Sequence, residues 1–181
     1  MKKLYWMIAL AGAAGLIAGC TPKYNVEVYM SPNFLETMKI YPSMEVDVVG
    51  LNVNEIDRIK DTPTDTYFEY DNLLRKGLEK CTLTFSADSV EPKLLPSGND
   101  IWGRFADKDA KQLLLIVNVP GCDVKDAQKD PRKLILPMSA GFPLFPSTLY
   151  FELSPSGIMQ LKKAPDSQAK PIDVTEKGKE K

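Results

Sequence analysis

The sequence predicts a mainly β fold of about eight short strands, with two short helices inserted after the second. Three observations carry this. All fourteen prolines lie beyond residue 20 and are scattered at short intervals. An interior proline costs a helix about 3 kcal/mol, so long helices are excluded. Apolar residues return at every second position in several short segments, the period of a half-buried strand. Between those segments stand Gly-, Pro- and Ser-rich turns. No repeat of fixed period runs through the chain.

Taken in order, Tyr24 to Met30 sets Val26, Val28 and Met30 on one side and Asn25, Glu27 and Tyr29 on the other. Ser31 to Ser43 carries two prolines around Phe34, Leu35 and Met38, which predicts a long connection with one helical turn. Met44 to Gly50 alternates again, with Glu45 and Asp47 on what reads as the solvated face. Asn52-Val53-Asn54-Glu55 has the spacing of a capping box, and Val53, Ile56 and Ile59 follow it. That predicts a helix to about Lys60, closed before Pro63. A second helix is expected from Asp65 to Gly77, with Tyr67, Tyr70 and Leu74 on its apolar side and Gly77 as the stop.

Cys81 to Phe85 restores the period of two. Pro92, Pro96 and Ser97-Gly98-Asn99 mark loops around the pair Leu94-Leu95, and Ile101 to Phe105 surrounds Trp102. Leu113 to Val119 is interrupted only by Asn118, as suits a central strand buried on both faces, and Pro120-Gly121 ends it. The charged stretch to Arg132 reads as a solvated loop. Lys133 to Met138 is a strand in which Pro137 favours an edge or a bulge. Gly141 to Pro146 is an uncharged loop rich in bulky apolar groups, with Phe142, Leu144 and Phe145. Thr148 to Leu153 and Ile158 to Leu161 form a closing hairpin around the turn Ser154-Pro155-Ser156-Gly157. From Lys162 onward lysines and acids alternate, and residues 162–181 are expected to be a disordered charged tail.

The amino terminus adds a separate signal. Lys2 and Lys3 precede an uncharged run from Leu4 to Ile17, the layout of an export signal and too short for a comfortable membrane span. Ala18, Gly19 and Cys20 follow directly. The mature chain would keep 162 of the 181 residues, enough for one domain, with 21 basic against 24 acidic side chains and a charge of −3. That balance offers little to a phosphate backbone, so nucleic acid is not expected as a partner. The expected organisation is a signal over residues 1–19, a tether over 20–25, a β domain over 26–161 and the tail. From Cys20 to Val26 the tether reaches at most roughly 20 Å.

Two cysteines remain, Cys81 and Cys122. In an exported chain they either pair, closing a loop of about forty residues at a gain of roughly 4 kcal/mol, or stand as two buried apolar thiols. Histidine is absent altogether, which removes Ser-His-Asp and Cys-His catalysis and the commonest zinc ligand. Neither a phosphate-binding glycine loop nor a calcium loop occurs. The acid pairs Glu45 with Asp47, Asp107 with Asp109 and Asp123 with Asp126 read as solvated surface charge. The sequence predicts no enzyme, no cofactor and no metal site.

Residues 16–20, Leu-Ile-Ala-Gly-Cys, resemble the lipobox of bacterial lipoproteins, which implies acylation at Cys20 and, with Thr21 after it, the periplasmic face of the outer membrane. The whole plan of lipobox, short tether, short strands and two helices after the second strand resembles the outer-membrane lipoprotein of the type VI secretion membrane complex. That resemblance implies a two-sheet antiparallel β-sandwich like transthyretin. It also implies a partner, the periplasmic domain of an inner-membrane protein, gripped by a loop between the first strands. Here that loop is Ser31 to Ser43, with Phe34, Leu35 and Met38 as candidate anchors, and Phe142, Leu144 and Phe145 form a second candidate surface. The function expected is a non-catalytic, lipid-anchored scaffold that tethers a periplasmic complex. The alternative is a glycan- or peptidoglycan-binding module with Trp102 and Tyr67 as stacking groups.

Overall fold

Two sheets face each other across an apolar core in the computed structural model, which describes residues 22–122, 124, 126–138, 147–166 and 170–175. Strands β1 (Tyr24–Met30), β4 (Lys93–Leu95), β7 (Ser147–Ser154), β8 (Gly157–Leu161) and β9 (Ile172–Asp173) form the first, in the order β8-β7-β1-β4-β9. Strands β2 (Met44–Leu51), β3 (Lys80–Phe85), β5 (Gln112–Val117) and β6 (Lys133–Pro137) form the second, in the order β3-β2-β5-β6. Val26 and Val28 of β1 and Phe151 and Leu153 of β7 meet Val46, Val48, Leu83, Leu113 and Leu115 between the sheets. The expected two-sheet sandwich is what the chain forms.

Its pairing departs from the expected antiparallel one at two places, both in the first sheet. The second sheet is antiparallel throughout, but in the first β1 runs parallel to β7 over seven register pairs from Tyr24↔Ser147 to Met30↔Leu153. Strands so far apart in sequence need no hairpin between them, so nothing in the chain fixes their relative direction. The parallel pair β4 and β9 corrects the expected tail. Ile172 donates to the Pro92 carbonyl at 2.7 Å and Val174 to that of Leu94 at 3.1 Å, and Val174 packs on the core. Two apolar side chains at alternate positions suffice to add a short edge strand.

Five helices stand among the described residues: α1 (Asn33–Met38), α2 (Val53–Asp61), α3 (Thr64–Phe68), α4 (Leu73–Gly77) and α5 (Ile101–Asp107). Helix α2 has the capping box read from the sequence. Asn52 accepts from the Asn54 and Glu55 amides at 3.0 and 3.1 Å, and Glu55 accepts from the Asn52 amide at 3.0 Å. The helix expected from Asp65 to Gly77 is instead two. Asn72 accepts from the Arg75 amide at 2.8 Å and donates to the Thr66 carbonyl at 2.8 Å, capping α4 while closing α3. Helix α5 was not expected at all. Its cue was Ile101, Trp102 and Phe105 at helical spacing behind Asn99, which accepts from the Ile101 amide at 2.9 Å.

Helices α2 to α4 lie on the outer face of the second sheet, where Ile56, Ile59, Tyr67 and Leu78 cover Val49, Leu51, Leu114 and Ile116. Strand β5 is therefore buried on both faces, as its unbroken apolar run predicts, and β6 takes the edge, the first of the two placements that Pro137 favours. Glycine is required at two places. A Cβ on Gly50 would lie 2.5 Å from Phe105 Cγ, and Gly157, at φ +123°, sits against the Pro131 backbone.

Candidate docking surface

The two ends of the sandwich differ in what they expose. Trp102 places its ring 5.8 Å from that of Tyr24 and 5.6 Å from that of Phe105, which covers Gly50. The start of β1 is thus at the Gly50 end of β2. The connection from residue 31 to 43 lies at the opposite end.

That connection is pinned from within. The Ser31 amide donates to the Leu153 carbonyl at 2.8 Å, and Phe34 inserts fully into the core beside half-buried Met38 and Tyr41. Lys39 takes the left-handed conformation, φ 63°, and turns the chain out of α1. Leu35 and Ile40 are left pointing outward, 44% and 61% exposed. Of the three anchors read from the sequence, Leu35 is a surface group, while Phe34 is corrected to a core group that holds the loop in place and Met38 packs mainly on the core. Ile40 was missed, although it follows the same turn. Beside the loop runs an open groove of about 400 Å³ that includes Met30, Pro32 and Tyr41. Phe142, Leu144 and Phe145 lie outside the described residues, as does Cys20.

The polar clusters do a different job. Asp47, read as solvated, is fully buried beneath the helices. Its carboxylate accepts from Thr82 Oγ1 at 2.6 Å, Arg75 Nε at 2.8 Å and Tyr67 Oη at 2.9 Å. Arg75 also reaches Glu45 at 2.6 Å and lies 4.5 Å from the Phe68 ring centroid. Burial works against the Arg75 charge, but hydrogen bonds to Asp47 and Glu45 outweigh it and raise its pKa. Burial, then the Asp47 charge, raises that of Tyr67, which stays a neutral phenol. With both oxygens of Asp47 committed, the pair Glu45 and Asp47 has the bonding of a structural anchor.

A second anchor corrects the expected solvated loop before Arg132. Arg132 is 1% exposed and bonds Asp130 at 2.8 Å and Asp65 at 2.6 Å, while Thr64 Oγ1 donates to Asp130 at 2.6 Å. Helix α3 is thereby tied to the strand edge at one end and to Asp47 at the other. Tyr70, expected on the apolar side with Tyr67, is 90% exposed because the chain leaves α3 at Glu69. Leu73 beside it is 83% exposed.

Cys81 and Cys122 are free thiols, so of the two alternatives the disulfide is not formed. Burial, then the nearby Asp47 charge, pushes the Cys81 thiol up to about 11, against a smaller opposing effect from Arg104. The alternative glycan site loses both its stacking groups. Trp102 and Tyr67 are each 0% exposed, and Trp102 Nε1 donates to the Pro96 carbonyl at 2.9 Å. No helix among the described residues is long and apolar enough to cross a membrane.

Fold and surface together define a small β-sandwich with one sheet backed by helices, ionic anchors inside it and an apolar loop at the end remote from the start of β1. Solved structures share this fold. A chain of a structure described as "Type VI membrane complex" matches at TM-score 0.52 and 14% identity, over 78% of this chain and 99% of that one. A chain of the structure of the T6SS protein TssM C-terminal domain from EAEC matches at TM-score 0.50 and 15% identity, over 76% and 99%. Serratia marcescens Lip, described as a membrane bound component of the Type VI Secretion System, reaches TM-score 0.49 at 11% identity, over 81% and 100%. The likeness of fold rests on the first two, and the resemblance read from the sequence holds at that level. No family model and no curated protein matches the chain.

Proposed function

We propose that this protein is a non-catalytic lipoprotein of a type VI secretion membrane complex, anchored through acyl chains on Cys20 to the periplasmic face of the outer membrane. Its partner is the periplasmic domain of an inner-membrane protein, which docks on the loop around Leu35 and Ile40. One observation carries the reading: strand β1 joins the two functional ends directly. The lipobox cysteine stands four residues before Tyr24, where β1 begins, and the loop leaves at Met30, at the other end of that seven-residue strand of roughly 20 Å. The partner surface therefore faces away from the bilayer to which the chain is held. The shared fold with a chain of a type VI membrane complex supports the same assignment.

The test has two arms. Intact-mass measurement from the native host should show a chain beginning at an acylated Cys20. A photo-crosslinking residue at Ile40 should capture one inner-membrane protein, and Leu35→Asp with Ile40→Asp should abolish its recovery while leaving the fold intact by circular dichroism. An unlipidated polypeptide, or undiminished recovery by the double variant, would overturn the reading.

A further inference from the structure

The two edges of the first sheet are held unequally. Its order is β8-β7-β1-β4-β9, so the chain leaves β8 at Leu161 on one edge and rejoins at Ile172 on the other. Pro165 and Asp166, on the way, lie beside Tyr29 and Glu152, which alternate with core residues of β1 and β7 and so mark the outer face. Four strand spacings make a crossing of roughly 19 Å, while the ten residues 162–171 reach up to roughly 35 Å. The connection is therefore slack, and β9 can leave the sheet without moving β8. Few contacts hold it there. β1 and β7 share seven register pairs, whereas β4 and β9 share two. The Ile172 and Val174 amides donate to Pro92 and Leu94, and both residues are only half-buried. Asp173 turns its carboxylate back on Thr175, 2.8 Å from the amide and 2.6 Å from Oγ1. The bond from Asn99 Nδ2 to Thr175 Oγ1 is long, at 3.4 Å.

What β9 covers is a built acceptor. When it leaves, the Pro92 and Leu94 carbonyls lose their donors, and the place that Val174 takes against the core opens beside them. An extended chain adds to such an edge through its backbone, with alternate side chains giving the selectivity. The edge also adjoins the docking loop, since Val90, Glu91 and Pro92 line the same groove as Pro32 and Tyr41. We propose that β9 is a releasable strand that opens while the sandwich stays folded, and that the β4 edge beneath it receives an extended segment of the protein partner. That segment runs parallel to β4 and carries apolar residues two apart, as β9 does with Ile172 and Val174. The opening follows from the contacts of β9 alone; the occupant rests on the docking reading above.

The test uses the full chain. In amide hydrogen exchange, Ile172 and Val174 should exchange at least about 100-fold faster than the protected amides of β1 and β5, with no response to urea below the unfolding transition. Equal rates with a shared urea response would mean that β9 opens only with the sandwich, and would overturn the proposal. A photo-crosslinking residue at Leu94 should capture the same inner-membrane protein as one at Ile40. Ile172→Asp with Val174→Asp should raise that recovery at least about threefold, because the edge is then no longer closed by its own chain. Unchanged or lower recovery, or capture of a second copy of this chain, overturns the acceptor. Should the double variant lose the protection of β1 and β5, the peptide acetyl-Lys-Pro-Ile-Asp-Val-Thr-amide decides on the parent protein. Saturable NMR shifts are expected at Lys93, Leu94 and Leu95, absent when the isoleucine and valine of the peptide are aspartates; no saturation, or equal binding of the two peptides, overturns the proposal. If Leu94 captures nothing while the Ile40 crosslink persists, this inference falls alone. Loss of the Ile40 crosslink in the parent protein removes the docking reading beneath it.

Discussion

Replacing Arg75 by methionine tests what holds the helices on the second sheet. Asp47 is fully buried and takes two hydrogen bonds from Arg75, at 2.8 and 3.2 Å, beside those from Tyr67 and Thr82. Methionine keeps much of the apolar stem but leaves the Asp47 charge with two neutral donors. Removing one member of a buried ion pair costs about 3–5 kcal/mol. The Arg75 side chain is 20% exposed, so water replaces part of its role, and we expect a loss of about 2–3 kcal/mol. With a urea slope of about 2 kcal/mol/M, the unfolding midpoint should fall by about 1–1.5 M. Adding Asp47→Leu should return at least half of that loss, because no uncompensated charge then remains. The residual cost is the Tyr67 and Thr82 hydroxyls deprived of their acceptor. Equilibrium urea unfolding of the parent, both single variants and the double variant closes the cycle. An Arg75→Met variant within about 0.5 kcal/mol of the parent, or a double variant as unstable as the sum of the singles, would refute the reasoning.

Further outcomes follow from individual sites. Burial pushes the Asp130 carboxyl up, but hydrogen bonds from Arg132 and Thr64 outweigh it and hold the pKa below its usual value. The unfolded chain therefore binds this proton first, and the stability Asp130 contributes is present at neutral pH and lost below about pH 4. Asp130→Asn should be less stable at pH 7 and lose less on acidification, as urea midpoints at several pH values would show. Cys81, pushed up to about 11, should react slowly with iodoacetamide at pH 8, and far more slowly than Cys122 on the turn after β5. Peptide mass mapping of a labelling time course would separate the two thiols, and equal rates would contradict the burial assigned to Cys81. Gly50→Ala should lower the melting temperature by several degrees, since a Cβ 2.5 Å from Phe105 Cγ displaces the ring at about 1–3 kcal/mol. Calorimetry measures it, and an unchanged midpoint would mean that Phe105 yields freely.

Alternation and turn chemistry in the sequence determined most of the strands, the doubly buried β5, the edge position of β6, the capping box at Asn52 and the closing hairpin. Each is a local consequence of spacing, capping or a missing amide proton, so the chain carries it without knowing its neighbours. Only the tertiary structure decided the direction of β1 against β7, the return of Ile172 and Val174 to the sheet, and the fate of the polar residues. Asp47 and Glu27 look alike in an alternating strand. One lies beneath helices that arrive later in the chain with Tyr67 and Arg75; the other accepts from its near neighbour Tyr29. In the same way Phe34 and Leu35 are adjacent apolar residues, and the turn at Lys39 and the pinning of Ser31 send one into the core and the other to the surface. Whether a side chain is a contact or a foundation depends on what packs over it, and that is a property of the assembled layers.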